Sequence, residues 1–506
     1  MRGITGWGSA AAVLAAAGFA LAAPPVQAAT TAPRAATAPK VTVTGADYTF
    51  PATQAMVSDV AKSIRADVAY QQGFTGKGVG VALIDTGVVP VLGLTSGNVV
   101  NGPDLSVESQ VPSLIHRDGY GHGTHMAGII AGRDATDGTG FRGIAPDAKL
   151  TSIKVGSSNG AVDVSQMLAA IDWVVKHRND DPANPIKILN LSYGTNSTLS
   201  RATNPLAFAV QTAWNAGIAV VVASGNSGTI TVPATDITPI VVGSADPNGT
   251  TNPADDTLSD YTSTVSTDTQ VKRGIDTLVP GRSIASLRDP GGYADTYYPT
   301  ARVGDRYFKG SGTSQAAAVV SGALALILQK YPASTPWALR TVLRAASPQL
   351  PKATSVKSGE LNLAPIFNAS APSGLSTVVQ STGTGSLQAA RGSSLLYLGN
   401  TGTPLTGERD LFGPFSTTAW AKASAAQTSW NGGDWMGHPW TGTGWAAASD
   451  GQANWSGRAW SGTNWSGRAW SDISWSGRAW SGRAWSGTSF SGAAWSGVSW
   501  SGAAWK

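Results

Sequence analysis

The chain has 506 residues, enough for one large domain together with appended segments. Hydrophobic residues make up 42% and charged residues 13%, a balance typical of a packed apolar body and unlike that of a wholly disordered chain. Cysteine is absent, which excludes disulfides, a catalytic thiol and Cys-ligated zinc. The net charge of +5 is small for this length.

Residues 1–29 have the pattern of an export signal. Arg2 precedes an apolar run over residues 10–23, and Val26-Gln27-Ala28 is a small-x-small cleavage site. That run is too short to span a bilayer comfortably, and no other stretch has the ~18 consecutive apolar residues that a membrane helix needs. We therefore expect a secreted, extracellular protein without a transmembrane segment.

Strand-like and helix-like apolar runs alternate through the middle of the chain. The predicted strands are 79–84, 150–155, 186–191, 218–223 and 237–242, and the predicted helices are 122–131, 164–177, 205–216 and 316–328. Nearly continuous apolar strands that alternate with helices favour an α/β fold, in which a mainly parallel, doubly wound sheet is covered on both faces to give three layers. Functional residues of such sheets collect at the carboxyl ends of the strands.

Composition divides the chain into five predicted segments. They are an export signal (1–29), a Thr/Ala/Pro-rich leader (30–55), a globular α/β domain (56–370), a linker rich in Ser, Thr, Gly and Pro (371–415) and a repeat tail (416–506).

Two candidate catalytic side chains stand at predicted element ends. Residues 80–84 run directly into Asp85, so its carboxylate should lie at the carboxyl end of a buried strand, where it is costly unless it is paired. His122 and His125 occupy a Gly-rich segment at the entry of the predicted helix 122–131. We expect His122 to be the functional imidazole and His125 to have a structural role in the core.

The remaining candidates are a hydroxyl and an amide. Ser314 lies two residues before the long apolar run 316–328, so it should lie at the amino end of a buried helix, where free N–H groups and the helix dipole favour negative charge. Asn226 follows the predicted strand 218–223 and should lie at its carboxyl end. A nucleophile, an imidazole, a carboxylate and an oxyanion donor are the parts that acyl transfer by serine requires.

Four motifs, taken in chain order, resemble those of the subtilisin-like serine peptidases, the subtilases. They are Asp85-Thr86-Gly87, His122-Gly123-Thr124-His125, Ala223-Ser224-Gly225-Asn226 and Gly312-Thr313-Ser314. The resemblance covers about residues 64–369 and is to a secreted bacterial type, which here carries a C-terminal Trp-Ser-Gly repeat tail. It implies a subtilisin-like fold and serine endopeptidase activity on protein or peptide substrates.

The resemblance also implies a role for each matching residue. Ser314 would be the nucleophile, His122 the general base, Asp85 the residue that orients His122, and Asn226 an oxyanion donor. Two segments would bind the backbone of an extended substrate: Ser192, Tyr193 and Gly194 in one, and Ala223, Ser224 and Gly225 in the other. No cofactor or metal ligand is assigned, and calcium is left open without ligands.

The chain departs from the family pattern in three places. Gln315 and Ala318 follow the nucleophile where Met and Pro are usual, the 20 to 35 residues after the signal are too few for a folded inhibitory prodomain, and a Tyr/Arg-rich insertion covers about residues 288–308. We expect this insertion to line or cover the substrate cleft.

Tryptophan recurs every five residues in the tail, from Trp430 to Trp505, with Asp450 and Phe490 at two of the steps. A period of five matches neither a helix nor a strand, so each unit must contain a turn, which its glycine supplies. Three interpretations of the tail are open: a solvated low-complexity tract, a stack of turns, or a surface that binds cell-wall or sugar polymers through ring faces. Its arginines would either favour anionic surfaces or keep the tract soluble. Export argues against nucleic acid as a partner.

A rival interpretation of the whole chain is a non-catalytic, envelope-binding protein that has kept a subtilase scaffold. The complete set of Asp85, His122 and Ser314 argues against it.

Overall fold

Short strands and helices alternate along the chain, as the hydrophobic pattern predicts. The computed structural model describes residues 55–135, 140–266, 273–352, 356–374, 380–398, 404–440 and 455–457. Its strands are β1 (Ala55–Met56), β2 (Gly80–Asp85), β3 (Val99–Asp104), β4 (Lys149–Lys154), β5 (Ile186–Leu191), β6 (Ala219–Ala223), β7 (Thr229–Ile230), β8 (Ile240–Asp246), β9 (Thr257–Leu258), β10 (Val265–Ser266), β11 (Thr277–Pro280), β12 (Ile284–Leu287), β13 (Arg302–Val303), β14 (Tyr307–Gly310), β15 (Leu396–Leu398), β16 (Arg409–Asp410), β17 (Gly413–Pro414), β18 (Trp430–Asn431), β19 (Asp434–Trp435), β20 (His438–Pro439) and β21 (Trp455–Gly457).

The α-helices lie between and after these strands. They are α1 (Val57–Ser63), α2 (Asp67–Gln71), α3 (His122–Ala131), α4 (Val164–His177), α5 (Pro205–Asn215), α6 (Tyr293–Tyr297), α7 (Thr313–Lys330), α8 (Pro336–Ala345), α9 (Ala364–Phe367), α10 (Leu387–Arg391) and α11 (Thr417–Ala425). Among the residues described, no helix is long and apolar enough to cross a membrane.

A parallel sheet forms the centre of the fold. Its strand order is β3-β4-β2-β5-β6-β8-β11, and β9 adds an antiparallel strand beside β8. All six residues of β2 are buried, which requires cover on both faces of the sheet. The order reverses beside β2, whose neighbours β4 and β5 both run parallel to it. The predicted α/β class with a mainly parallel, doubly wound sheet is therefore confirmed.

Two pairs of helices supply the outer layers. Helix α3 packs with α7, and α4 packs with α5. Helix α7 is buried from Thr313 to Leu328. Its sequence is apolar on every side, and it packs against β5, β6 and β8. A smaller sheet, in which β12 and β14 pair antiparallel, lies beside α3 and leads directly into α7.

Residues after 380 also pack on the α/β body. The segment 371–415, predicted as a linker, contains α10 in its described part, where Leu387 and Ala390 are fully buried. Arg391, also at 0% exposure, binds the carboxylate of Asp163, the residue that caps α4. The described part of this segment is therefore attached to the domain by a buried ion pair, while the boundary at residue 370 stays a prediction.

The first pentads of the tail form a small three-stranded sheet against α4. Strands β18, β19 and β20 pair antiparallel in chain order, and Trp430, Trp435 and Trp440 are buried. Each connection contains a glycine with positive φ, Gly432 at 61° and Gly437 at 84°, so these pentads contain the predicted turn. The rest of the predicted tail, apart from β21, lies outside the described residues.

Asp172 on α4 binds the aromatic residues of this extension. It accepts hydrogen bonds from Trp420 Nε1 (2.8 Å) and Trp435 Nε1 (3.1 Å), and Ser424 donates to its other oxygen (2.5 Å). Burial raises the pKa of Asp172, whereas these donors oppose the rise. Residues 416–440, although predicted as part of the tail, therefore pack against α4 through buried side chains.

We predict that Trp430→Ala destabilises the α/β body by about 3–5 kcal/mol, because it removes a buried ring and its hydrogen bond to Ala169 O (2.8 Å). Urea unfolding followed by circular dichroism measures the change. Lys422→Ala, an exposed position in the same extension, is the control and should stay within about 0.5 kcal/mol of wild type. Equal stability of the two variants would show that the extension does not stabilise the body.

Candidate active site

Asp85 and His122 are hydrogen-bonded at the carboxyl end of β2. His122 Nδ1 lies 2.7 Å from Asp85 Oδ1 and 2.9 Å from Asp85 Oδ2, and the side chains are 1% (Asp85) and 7% (His122) exposed. The Thr86 backbone N–H also donates to Asp85 Oδ1 (2.8 Å). The carboxylate that a buried strand end would otherwise leave unpaired is thus satisfied by an imidazole. Nδ1 faces the carboxylate, which leaves Nε2 as the nitrogen that can exchange protons.

A hydrogen-bonded turn holds the beginning of α3 against the end of β2. Asp118 accepts from the N–H groups of Gly121 (2.7 Å) and Thr124 (2.8 Å) and from the Thr86 hydroxyl (2.8 Å). The Thr86 oxygen in turn accepts from Gly123 N–H (2.9 Å). Burial raises the pKa of Asp118 despite these donors. The turn fixes where the imidazole enters the site.

Ser314 lies in the first turn of α7, beside Asn226. Thr313 donates both its backbone N–H and its hydroxyl to Asn226 Oδ1, each at 2.9 Å, and Gly225 N–H donates to the Thr313 hydroxyl (3.1 Å). Because the amide oxygen of Asn226 is bound to Thr313, its amino group is the part available to donate elsewhere. Ser314 is 3% exposed and Asn226 is 4% exposed.

All of these residues come from the same edge of the main sheet. Asp85 ends β2, Asn226 follows β6, and the Ser314 motif is tied to the end of β11 by the hydrogen bond from Gly312 N–H to Gly281 O (2.9 Å). The carboxyl ends of parallel strands lie together. The predicted residues therefore form two hydrogen-bonded groups, Asp85 with His122 and Asn226 with Thr313, the residue before Ser314. His122 begins α3 and Ser314 lies in the first turn of α7, and these two helices pack against each other.

His125 occupies the structural position expected from the sequence. It is fully buried, and its Nε2 lies 3.1 Å from Ile284 O and 3.0 Å from Phe308 O. Burial, together with the nearby His122, lowers the pKa of His125 to about 3, although the two carbonyls oppose the shift. A neutral ring at this site joins α3 to both strands of the β12–β14 hairpin.

The two segments predicted to bind substrate follow neighbouring strands. Residues Ser192, Tyr193 and Gly194 come after β5, and residues Ala223, Ser224 and Gly225 end β6 and follow it. Strands β5 and β6 pair in parallel, so both segments lie at the same edge as Asp85. Tyr193 is 1% exposed, and burial raises its pKa above the usual range.

Three positioning residues were not predicted from the sequence. Thr86, Asp118 and Thr313 each bind a candidate catalytic residue or the turn that carries one. Asp118 carried a usable signal, since a short acidic side chain just before a helix is typical of capping. Within the described ranges, no group of three or more acidic or histidine side chains is placed to hold a metal ion, and calcium dependence stays an open prediction.

Asp289 is a buried carboxyl at the base of the insertion. It is 4% exposed, and neither oxygen has a hydrogen-bond partner among the described residues. A Cβ on Gly121 would lie 3.7 Å from its Cβ, so Asp289 packs against the turn before His122. Burial raises the pKa of Asp289 well above its usual value, and Asp118 adds to the rise while Arg117 opposes it. We expect Asp289 to keep its proton to a higher pH in the folded protein than in the unfolded chain.

We predict that Asp289→Asn stabilises the protein at pH 8 but not at pH 4. Because the folded pKa is raised, the carboxyl group contributes its full stability below the unfolded pKa of about 3.9, and this contribution is lost as the pH rises toward the folded value. Asparagine does not titrate, so the melting temperature of the variant relative to wild type should increase with pH. Thermal melts at pH 4, 6 and 8 measure this difference.

The control is Asp305→Asn, an exposed carboxyl of the same insertion. Its melting temperature relative to wild type should change little across the three pH values. A difference for Asp289→Asn that is equally independent of pH would contradict a raised pKa for the buried carboxyl.

In comparisons with known proteins, residues 76–385 match the Subtilase family. Serine protease AprX of Bacillus subtilis (strain 168) is 38% identical over 279 residues, which are 54% of this chain and 62% of AprX. Subtilisin DY of Bacillus licheniformis is 34% identical over 276 residues, which are 53% of this chain and 83% of that protein. Among solved structures, the crystal structure of a cold adapted subtilisin-like serine proteinase matches with a TM-score of 0.43 and 29% sequence identity. The match covers 57% of this chain and 88% of the proteinase chain.

Proposed function

The chain belongs to the subtilase family of serine endopeptidases, and we propose that it hydrolyses peptide bonds through an acyl-enzyme on Ser314. The observation that carries this proposal is the buried contact of 2.7 Å between Asp85 and His122, at the sheet edge where α7 begins. The chain spans 62% of the length of AprX. The activity, substrates and partners of the whole protein are therefore proposals, and they are argued from the residues of this chain.

In the proposed reaction, His122 Nε2 removes the hydroxyl proton of Ser314 as its oxygen attacks the substrate carbonyl carbon. Asp85 holds the other ring nitrogen, so the correct tautomer faces the serine and the imidazolium is stabilised. His122 then gives the proton to the leaving amine. A water molecule, deprotonated in the same way, hydrolyses the ester and restores Ser314.

The negative charge that develops on the carbonyl oxygen needs donors already in place. Asn226 is suited to donate through its amino group, because Thr313 holds the amide oxygen on the opposite side. The backbone N–H of Ser314, in the first turn of α7, would be the second donor, and the dipole of that 18-residue helix favours the same charge. Both donors are rigid, which lowers the cost of reorganisation during the reaction.

Substrate binding is proposed to use backbone hydrogen bonds. An extended peptide would lie between residues 192–194 and residues 223–225, which follow the paired strands β5 and β6. Such contacts recognise the peptide main chain in any sequence. Protein and peptide substrates are therefore both expected.

We predict that Ser314→Ala lowers turnover about 10⁶-fold and that Asn226→Ala lowers it about 10²- to 10³-fold. Both magnitudes are those of the corresponding losses in subtilisin, a member of the same family. Casein hydrolysis and labelling with a fluorophosphonate measure the two effects. Full turnover by Asn226→Ala would refute the oxyanion role, and wild-type protein that neither hydrolyses casein nor labels would favour the non-catalytic envelope-binding alternative.

Export and binding to the cell envelope are proposed for the two ends of the chain. The signal-like residues 1–29 support secretion. The pentads beyond Trp440 supply repeated tryptophan rings, to which sugar polymers can bind face to face. The first pentads differ because their rings are buried against α4.

We predict that a chain truncated after Trp440 hydrolyses casein as fast as the full chain but loses binding to purified cell walls. Truncation at this point retains Trp430, Trp435 and Trp440, which pack on the body, and removes the later pentads together with β21, the strand that pairs with β15. Co-sedimentation with cell-wall sacculi measures the binding, and hydrolysis by the same samples is the control for folding. Undiminished sedimentation of the truncated chain would exclude an anchoring role for residues 441–506.

A further inference from the structure

The insertion between β12 and β14 borders both proposed reacting side chains. Helix α6 docks on the turn before His122, because Tyr293 N–H donates to Gly119 O (2.9 Å) and Ala294 N–H donates to Tyr120 O (3.0 Å). At the other end of the insertion, β14 continues within four residues to Ser314. The insertion is therefore attached to the segment before His122 and to the segment before Ser314.

Ion pairs to one buried carboxylate connect the parts of this insertion. Asp295, which is 4% exposed, binds the guanidinium groups of Arg288 (2.9 Å to Oδ2) and Arg302 (2.7 Å to Oδ1) and accepts from Gly291 N–H (2.9 Å). Burial alone would raise the pKa of Asp295, but Arg288, Gly291 and Arg302 together lower it. One carboxylate thus connects the beginning, middle and end of the loop.

A row of tyrosines runs from the His122 turn to the surface. The ring of Tyr120, 2% exposed, stacks on that of Tyr293 with centroids 5.3 Å apart and planes inclined by 13°. Tyr293, half-buried, contacts Tyr297 at 4.6 Å. Tyr297 is 41% exposed, which makes it one of four large apolar side chains exposed in the part of the chain that the structure describes.

We propose that Tyr293 and Tyr297 form a specificity-determining subsite that binds an aromatic side chain of the substrate within two residues of the scissile bond. This inference rests on the proposed peptidase function. Tyr120 lies two residues before His122, so the row of rings begins at the turn that carries the proposed base, and the substrate residues next to the cleaved bond are the ones that come closest to that turn. The occupant should be aromatic, since rings pair at centroid distances of about 4.5–7 Å. Arg288 and Arg302 are paired with Asp295 within the insertion.

The test uses fluorogenic peptides that carry either Phe or Ala at one of the two positions on each side of the cleaved bond. For wild-type full-length protein, kcat/KM should favour Phe about tenfold at one of these positions. Tyr297→Ser should reduce that preference to about twofold or less, and Tyr297→Phe should retain it. A thermal melt of each variant checks that it is folded.

Val265→Ser is the matched control, because Val265 is also an exposed apolar side chain (65%) but lies on β10, outside the insertion. It should keep both the activity and the Phe preference. If folded Tyr297→Ser keeps the Phe preference at all four positions, the subsite is refuted while the peptidase function stands. If wild-type protein cleaves neither series, the proposed function itself fails.

Discussion

The burial of the Asp85 carboxylate is the constraint on which the rest of the site depends. Asp85 is the last residue of β2, a parallel strand that is buried on both faces. A carboxylate buried at this position must be paired, and its partner is His122. His122 can reach it only if α3 starts against the end of β2. That close approach requires glycine, since a Cβ on Gly123 would lie 2.1 Å from Gly87 O. The glycines at these two positions therefore permit the hydrogen bond between His122 and Asp85.

Rigidity of the second half of the site comes from a different contact. Asn226 is oriented by the two hydrogen bonds from Thr313, which also fix the first turn of α7. His125 plays the corresponding part for α3, because its ring joins that helix to both strands of the adjacent hairpin. The two helices that carry His122 and Ser314 are thus each anchored on the buried side. The insertion that borders the site extends from the hairpin that His125 holds.

The first units of the C-terminal repeat pack on the domain. Trp420 and Trp435 converge on Asp172 of α4, and together with Trp430 they bury their rings in the domain core. A carboxylate buried among aromatic rings is stable there because indole N–H groups and a serine hydroxyl donate to it. The same pentad pattern continues past Trp440 in the sequence, and the proposed envelope binding is assigned to those later units.

Local pattern was enough to identify the elements with a regular arrangement of apolar residues. Helix α4 and strand β5 have the predicted bounds, and the predicted Asp85 and His122 lie at element ends as expected. Strand β3 was missed, because its sequence contains Gly and Pro and only half of its residues are buried. The ring stack of Tyr120, the isolated carboxyl of Asp289 and the packing of the tail were also beyond the sequence. The hydrophobic period of a segment shows that one face of its helix or strand will be buried, but it does not show against which other segment. Trp420 and Asp172 are 248 residues apart in the sequence, so their contact depends on which surfaces the folded chain brings together.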